Sequence, residues 1–103
     1  MVIVFDFDGV LSDKRIQSLA IKMRCGNELW ICTMRSDNEF NKNLLQPVLS
    51  KLGLTVHNVI FCNEKPKWEY IKGINADMYI DNNSNEFEII KNNTNTIPLL
   101  WQS

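Results

Sequence analysis

No apolar run in the chain approaches the roughly 18 residues that a membrane-spanning helix requires. Nor does a basic segment lead into an apolar stretch near the start, so no secretory leader is expected. The apolar opening, Val2 to Phe5, is short enough to read as a buried strand. Repeats, low-complexity tracts and Gly/Ser/Pro-rich linkers are missing as well. With 103 residues one hydrophobic core is within reach and a second is not, so a single domain over residues 1–103 is expected.

Cysteine is sparse: Cys25, Cys32 and Cys62, an odd number with no Cys-x-x-Cys pair. Cys32 and Cys62 sit in apolar runs. This argues against a disulfide framework or a zinc site, and it makes a reducing, cytoplasmic location the expectation. A basic excess is also lacking. The formal net charge is −1 and the pI about 5.7, so no strong nucleic-acid footprint exists. What remains is 45% hydrophobic and 22% charged, the balance of a soluble globular domain with no membrane partner.

Strand-like and helix-like segments alternate along this chain. Val2 to Phe7 is a continuous β-prone run, as in a strand covered on both faces. Arg15 to Arg24 places Ile16, Leu19, Ala20 and Met23 on one helical face, ended by Gly26-Asn27. Glu28 to Thr33 reads as a strand. Ser36 or Asp37 can cap a helix carrying Phe40, Leu44, Val48, Leu49 and Leu52, closed by Gly53 and kinked or divided at Pro47. His57 to Cys62 is a third strand, and Pro66 opens a short helix through Ile71. Asp77 to Asp81 is a fourth strand. Asn83 and Glu86 have the spacing of a capping box for a helix through Lys91. Thr96 to Trp101 is a fifth strand, placed at a sheet edge by Pro98. The βαβαβαβαβ rhythm predicts an α/β fold, a Rossmann-like three-layer sandwich with a five-stranded parallel sheet. Ligands of such sheets bind beyond the carboxyl ends of the strands.

The polar residues gather at those ends. Asp6 and Asp8 close the first strand and are followed by Gly9, which permits a sharp turn. Two carboxylates placed close together need a cation, or one of them must hold its proton. Thr33 ends the second strand with a hydroxyl that can bind a phosphate oxygen. Met34 and Arg35 follow it, and the arginine can fork onto an oxyanion. Lys65 and Lys67 flank Pro66, and either could neutralise a phosphoryl group. Asp81 ends the fourth strand, where it can meet Asp6 and Asp8 around Mg²⁺, a cation that takes hard oxygen ligands.

Asp6-Phe-Asp-Gly-Val-Leu resembles the first motif of the haloacid dehalogenase-like phosphohydrolases. Thr33, then Lys65 or Lys67, then Asp81 look like the second, third and fourth motifs, in order across nearly the whole chain. The resemblance implies an Mg²⁺-dependent phosphatase. Asp6 would attack phosphorus, and Asp8 would serve as acid and then base. Thr33 and the lysine would bind phosphoryl oxygens, with Gly9, Met34 and Arg35 beside them. Mg²⁺ would be held by Asp6, the Asp8 carbonyl and Asp81. Lys67 fits the family's spacing better than Lys65, through Lys-x-x-Tyr-Ile and then Ala-Asp-Met-Tyr-Ile-Asp. Where the family often has a second acid, this chain has Asn82 and Asn85; an asparagine can bind metal-bound water without supplying charge, and Glu86 could compensate.

The segments Gly9–Glu28 and Met34–Val56 leave no room for the family's usual cap domain. An open mouth would admit a small phosphate ester, a nucleotide or a macromolecular end, and a second copy of the chain could roof it. Thr33-Met-Arg35 looks like the pattern of phosphatase domains acting on polynucleotide ends and of some nucleotidases. Two other classes stay open. One is a phosphoacceptor signalling domain, although its acceptor would end the third strand, where Cys62-Asn63 stands. The other is a degenerate phosphate- or metal-binding protein, motivated by Asn82 and Asn85.

Overall fold

The computed structural model describes residues 1–102. Five strands, β1 (Val2–Phe5), β2 (Glu28–Thr33), β3 (Val59–Phe61), β4 (Met78–Asp81) and β5 (Ile97–Leu100), form one sheet in the order β3-β2-β1-β4-β5. Every neighbouring pair is parallel. Helices α1 (Lys14–Met23), α2 (Glu39–Leu52), α3 (Lys67–Gly73) and α4 (Phe87–Asn93) connect them.

Side chains alternate along each strand, and this sorts the core into two layers. Ile3, Phe5, Leu29, Ile31 and Ile80 pack against Ile16 and Ala20 of α1 and Leu45, Leu49 and Leu52 of α2. Val4, Cys32 and Tyr79 face the other way, onto Ile71 of α3 and Ile90 of α4. The result is the expected α/β sandwich. No helix among the described residues is long and apolar enough to cross a membrane.

Several local expectations need correction. β1 stops at Phe5; Asp6 already starts an irregular turn in which Leu11 N–H donates to Asp6 O at 3.2 Å and Ser12 N–H to Phe7 O at 2.9 Å. Asn38, rather than Ser36 or Asp37, caps α2, its side chain accepting from Asn41 N–H at 2.8 Å. Pro47 does not divide α2, which runs unbroken from Glu39 to Leu52. β3 is shorter than expected because His57 lies in a tight turn, Val56–Asn58, capped by Thr55. The Asn83/Glu86 capping box does not form. Asn83 instead accepts from Asn85 N–H at 3.0 Å, and Glu86 accepts from Lys67 N–H at 3.2 Å. Pro98 lies on an edge strand, as its missing donor requires.

The strand order also explains where a site can form. From β1 the chain crosses to β2 on one side, while β4 lies on the other, so the connections diverge between β1 and β4. A crevice opens at such a switch point, at the carboxyl ends of the strands. Asp6 follows β1 and Asp81 ends β4.

Candidate active site

Asp6, Lys67, Tyr79 and Asp81 form a buried polar chain at this crevice. Asp6 is 9% exposed, Lys67 4%, Tyr79 0% and Asp81 6%. The main chain sets the Asp6 position, since Asp6 N–H donates to Ile80 O at 2.9 Å and extends the β1–β4 pairing by one residue. Lys67 opens α3 and turns its ammonium inward. Its Nζ donates to Asp6 Oδ1 at 2.6 Å and to the Tyr79 hydroxyl at 2.9 Å, with Asp81 Oδ2 at 3.7 Å. The Tyr79 hydroxyl in turn donates to Asp81 Oδ2. The other Asp81 oxygen accepts from Asn83 N–H at 3.1 Å.

These four groups carry two carboxylates and one ammonium, hence one uncompensated negative charge when all are ionised. Burial pushes the Asp6 carboxyl up to about 6. The Lys67 ammonium opposes that rise, and the nearby Asp81 charge adds to it. Burial works against the Lys67 charge, but Asp6 and, behind it, Asp81 outweigh that and hold its pKa above the ordinary lysine value. Burial and the bond to Asp81 raise the Tyr79 phenol, so it stays a donor. The cluster is therefore short of positive charge, the condition in which a divalent cation is favoured.

A cavity of about 390 Å³ opens onto it, lined by Asp6, Asp8, Met34, Lys67, Asp81, Asn82, Asn83, Asn85 and Glu86. Asp8 shares this cavity, but its carboxylate is gripped by the Arg35 guanidinium. Nε donates to Oδ2 at 3.0 Å and Nη2 to Oδ1 at 2.9 Å, the two-pronged geometry that suits arginine and carboxylate. Asn41 holds Arg35 from behind, accepting from Nη1 at 2.9 Å. Thr33 is buried; its Oγ1 accepts from Arg35 N–H at 3.2 Å, which leaves its own hydroxyl hydrogen free to donate. Lys65 is exposed and does not line the cavity, so of the two lysines Lys67 is the one at the site.

Among the described residues no group of three His, Cys, Asp or Glu side chains assembles that could hold a metal ion. Oxygen donors on this one cavity are the carboxylates of Asp6, Asp81 and Glu86 and the amides of Asn82, Asn83 and Asn85, with the Asp8 carboxylate taken up by Arg35. Hard oxygen donors with a net negative charge suit Mg²⁺, which keeps several of its waters and needs only one or two carboxylates.

Gly9 makes the turn above the site possible. Its φ is +76°, and a Cβ there would lie 2.2 Å from Asn82 Nδ2. Because that atom is the tip of a side chain, Asn82 can swing aside, and the lasting cost comes from the left-handed backbone. Gly9→Ala should lose about 1–2 kcal/mol of stability and displace Asn82. Urea unfolding measures the first effect; an unchanged midpoint would contradict it.

Two participants were not anticipated. Tyr79 reads as core because it stands among apolar residues of β4, yet a buried tyrosine must bond its hydroxyl, and that requirement was the available signal. Asn41 carried no signal at all. Tyr79→Phe keeps the ring but removes the donor to Asp81 Oδ2 and one of the acceptors of Lys67 Nζ, so a loss of about 1–3 kcal/mol is expected. A shift in urea midpoint at constant m-value would register it.

No family model matches the chain, and no curated protein matches it.

Proposed function

We propose that the chain is an Mg²⁺-dependent phosphomonoester hydrolase that works through a phosphorylated Asp6. The observation that carries this reading is the buried ion pair of Lys67 with Asp6 Oδ1, set beside Asp81 on an open, oxygen-lined cavity. Lys67 occupies one Asp6 oxygen and leaves Oδ2 available as nucleophile. Attack forms the Asp6–phosphorus bond and breaks the ester bond, and Asp8 protonates the departing oxygen. Asp8 then takes a proton from water, which attacks phosphorus, releases inorganic phosphate and restores the Asp6 carboxylate.

Arg35 holds Asp8. A phosphoryl group offers the guanidinium a more highly charged partner, and its transfer would free Asp8 for proton work. The Thr33 hydroxyl and the Lys67 ammonium can donate to the other phosphoryl oxygens. Mg²⁺, held by Asp6, Asp81 and the Asp8 carbonyl, would supply charge neutralisation between carboxylate and phosphate. The segments flanking α1 and α2 add no lid, so the reading extends to nucleotides and polynucleotide ends as well as small esters.

A second reading has its own support. Asn82 and Asn85 line the cavity without adding charge, and Lys67 and Arg35 pair with Asp6 and Asp8. A protein that binds phosphate or metal without turnover would look like this. One experiment separates the two. Hydrolysis of an aryl phosphate is measured with Mg²⁺, with excess chelator, and after Mg²⁺ is restored. Turnover lost and regained, with phosphate trapped on the Asp6 peptide after acid quench, is the expected result. No turnover on a broad phosphomonoester panel at saturating Mg²⁺ would overturn the enzymatic reading.

A further inference from the structure

The strands bring two cysteines together that lie 30 positions apart in the chain. Cys32 is the penultimate residue of β2, and Cys62 stands just past the end of β3. Cys62 N–H donates to Thr33 O at 2.8 Å, so the β2–β3 pairing continues through it. Both side chains point to the α3/α4 face, where they pack with Val4, Ile71 and Tyr79. Their sulfurs are 3.0 Å apart, and both residues are free thiols. Closing to an S–S bond of about 2.05 Å would need only about 1 Å of movement.

We propose that Cys32 and Cys62 are an oxidisable dithiol, a modification site that a peroxide converts to an intramolecular disulfide. The two thiols differ in character. The sulfur contact with Cys32, aided by the Lys67 ammonium and opposed by burial, favours the Cys62 thiolate over the ordinary thiol. Bonding to Cys62 and burial disfavour a Cys32 thiolate. Cys62 is itself buried, but it stands at the base of an exposed loop, Asn63 to Pro66, whose opening would admit a small oxidant.

The step balances. The Cys62 sulfur attacks one peroxide oxygen, the O–O bond breaks, and Cys62 becomes a sulfenic acid as the first water leaves. The Cys32 sulfur then attacks the Cys62 sulfur, the S–O bond breaks, and the departing oxygen takes the Cys32 proton as the second water. The pair of sulfurs loses two electrons and the peroxide gains them. With the resolving thiol already at contact distance, the sulfenic acid is captured before further oxidation. The bridge would tie the loop that leads into Lys67 to the strand end that carries Thr33.

The test uses the full chain with Cys25→Ser, which removes the one exposed cysteine. Folded protein is treated with hydrogen peroxide in native buffer, then denatured and alkylated. The expected result is an intact mass lower by two hydrogens, loss of both alkylatable thiols, a Cys32–Cys62 cross-linked peptide after proteolysis, and full reversal by dithiothreitol. Two thiols still alkylatable, oxygen adducts without a cross-link, or a cross-link that forms only in denaturant would each overturn the proposal. The readout is covalent and independent of phosphatase turnover.

Discussion

With asparagine at position 6, turnover of an aryl phosphate in Mg²⁺ should fall by about 10⁴-fold or more, because the nucleophile is gone rather than weakened. The same substitution should stabilise the metal-free protein at neutral pH. Burial lifts the folded-state Asp6 pKa from 3.8 to about 6. Below pH 3.8 the carboxyl is protonated in both folded and unfolded chains, and nothing is lost. Between those values the unfolded chain ionises first, so the folded wild type loses ground. Above pH 6 the full penalty stands, at most about 3 kcal/mol for some two pKa units. Asp6→Asn should therefore gain stability over wild type at pH 7 in chelator, and the gain should vanish near pH 4. Urea unfolding at the two pH values measures it. Equal stability at both, or full turnover by the variant, would refute the assignment of Asp6.

Lys67→Met should have the opposite effect on folding. The methionine fills the volume but leaves the Asp6 and Asp81 carboxylates buried with no cation. Breaking a buried ion pair from one side costs about 3–5 kcal/mol. Turnover should be lost as well, since the charge that supports the phosphoryl oxygens is removed. Two further outcomes distinguish an electrostatic cause from poor packing. Adding Mg²⁺ should raise the urea midpoint of Lys67→Met more than that of wild type, because a bound cation replaces missing charge. The double variant with Asp6→Asn should regain part of the loss, an interaction energy expected of contacting residues. A Lys67→Met protein as stable as wild type in chelator would show that the ammonium is not what holds the cluster.

Particular residues show how far the chain's order could be read and where reading failed. Val2 to Phe5, Glu28 to Thr33 and Met78 to Asp81 are visible as strands because buried parallel strands need unbroken apolar or β-branched runs. Asp6 and Asp81 stand out for the complementary reason: a carboxylate at the end of such a run requires a partner. Helix caps were legible only to within a residue or two, since Ser36, Asp37 and Asn38 all have capping chemistry and packing selects Asn38. The Asn83/Glu86 spacing was misleading because Glu86 has a competing donor, Lys67 N–H, which lies 19 positions away in sequence.

Local order by itself determined the α/β architecture, the ends of the strands where chemistry could sit, and most of the polar residues placed there, because periodicity and strand-terminal charge are properties of neighbours in the chain. Only the tertiary structure decided that Lys67, the lysine that motif spacing favoured over Lys65, reaches Asp6, that Tyr79 joins Lys67 to Asp81, that Arg35 closes on Asp8, and that Cys32 meets Cys62. Apart from the Tyr79–Asp81 bond, which joins neighbours on one face of β4, each of these is a contact between separate segments, fixed by strand order and by which face of the sheet a side chain occupies. A hydrogen bond or sulfur contact needs partners placed within a few tenths of an ångström, and packing of the whole sheet supplies that placement.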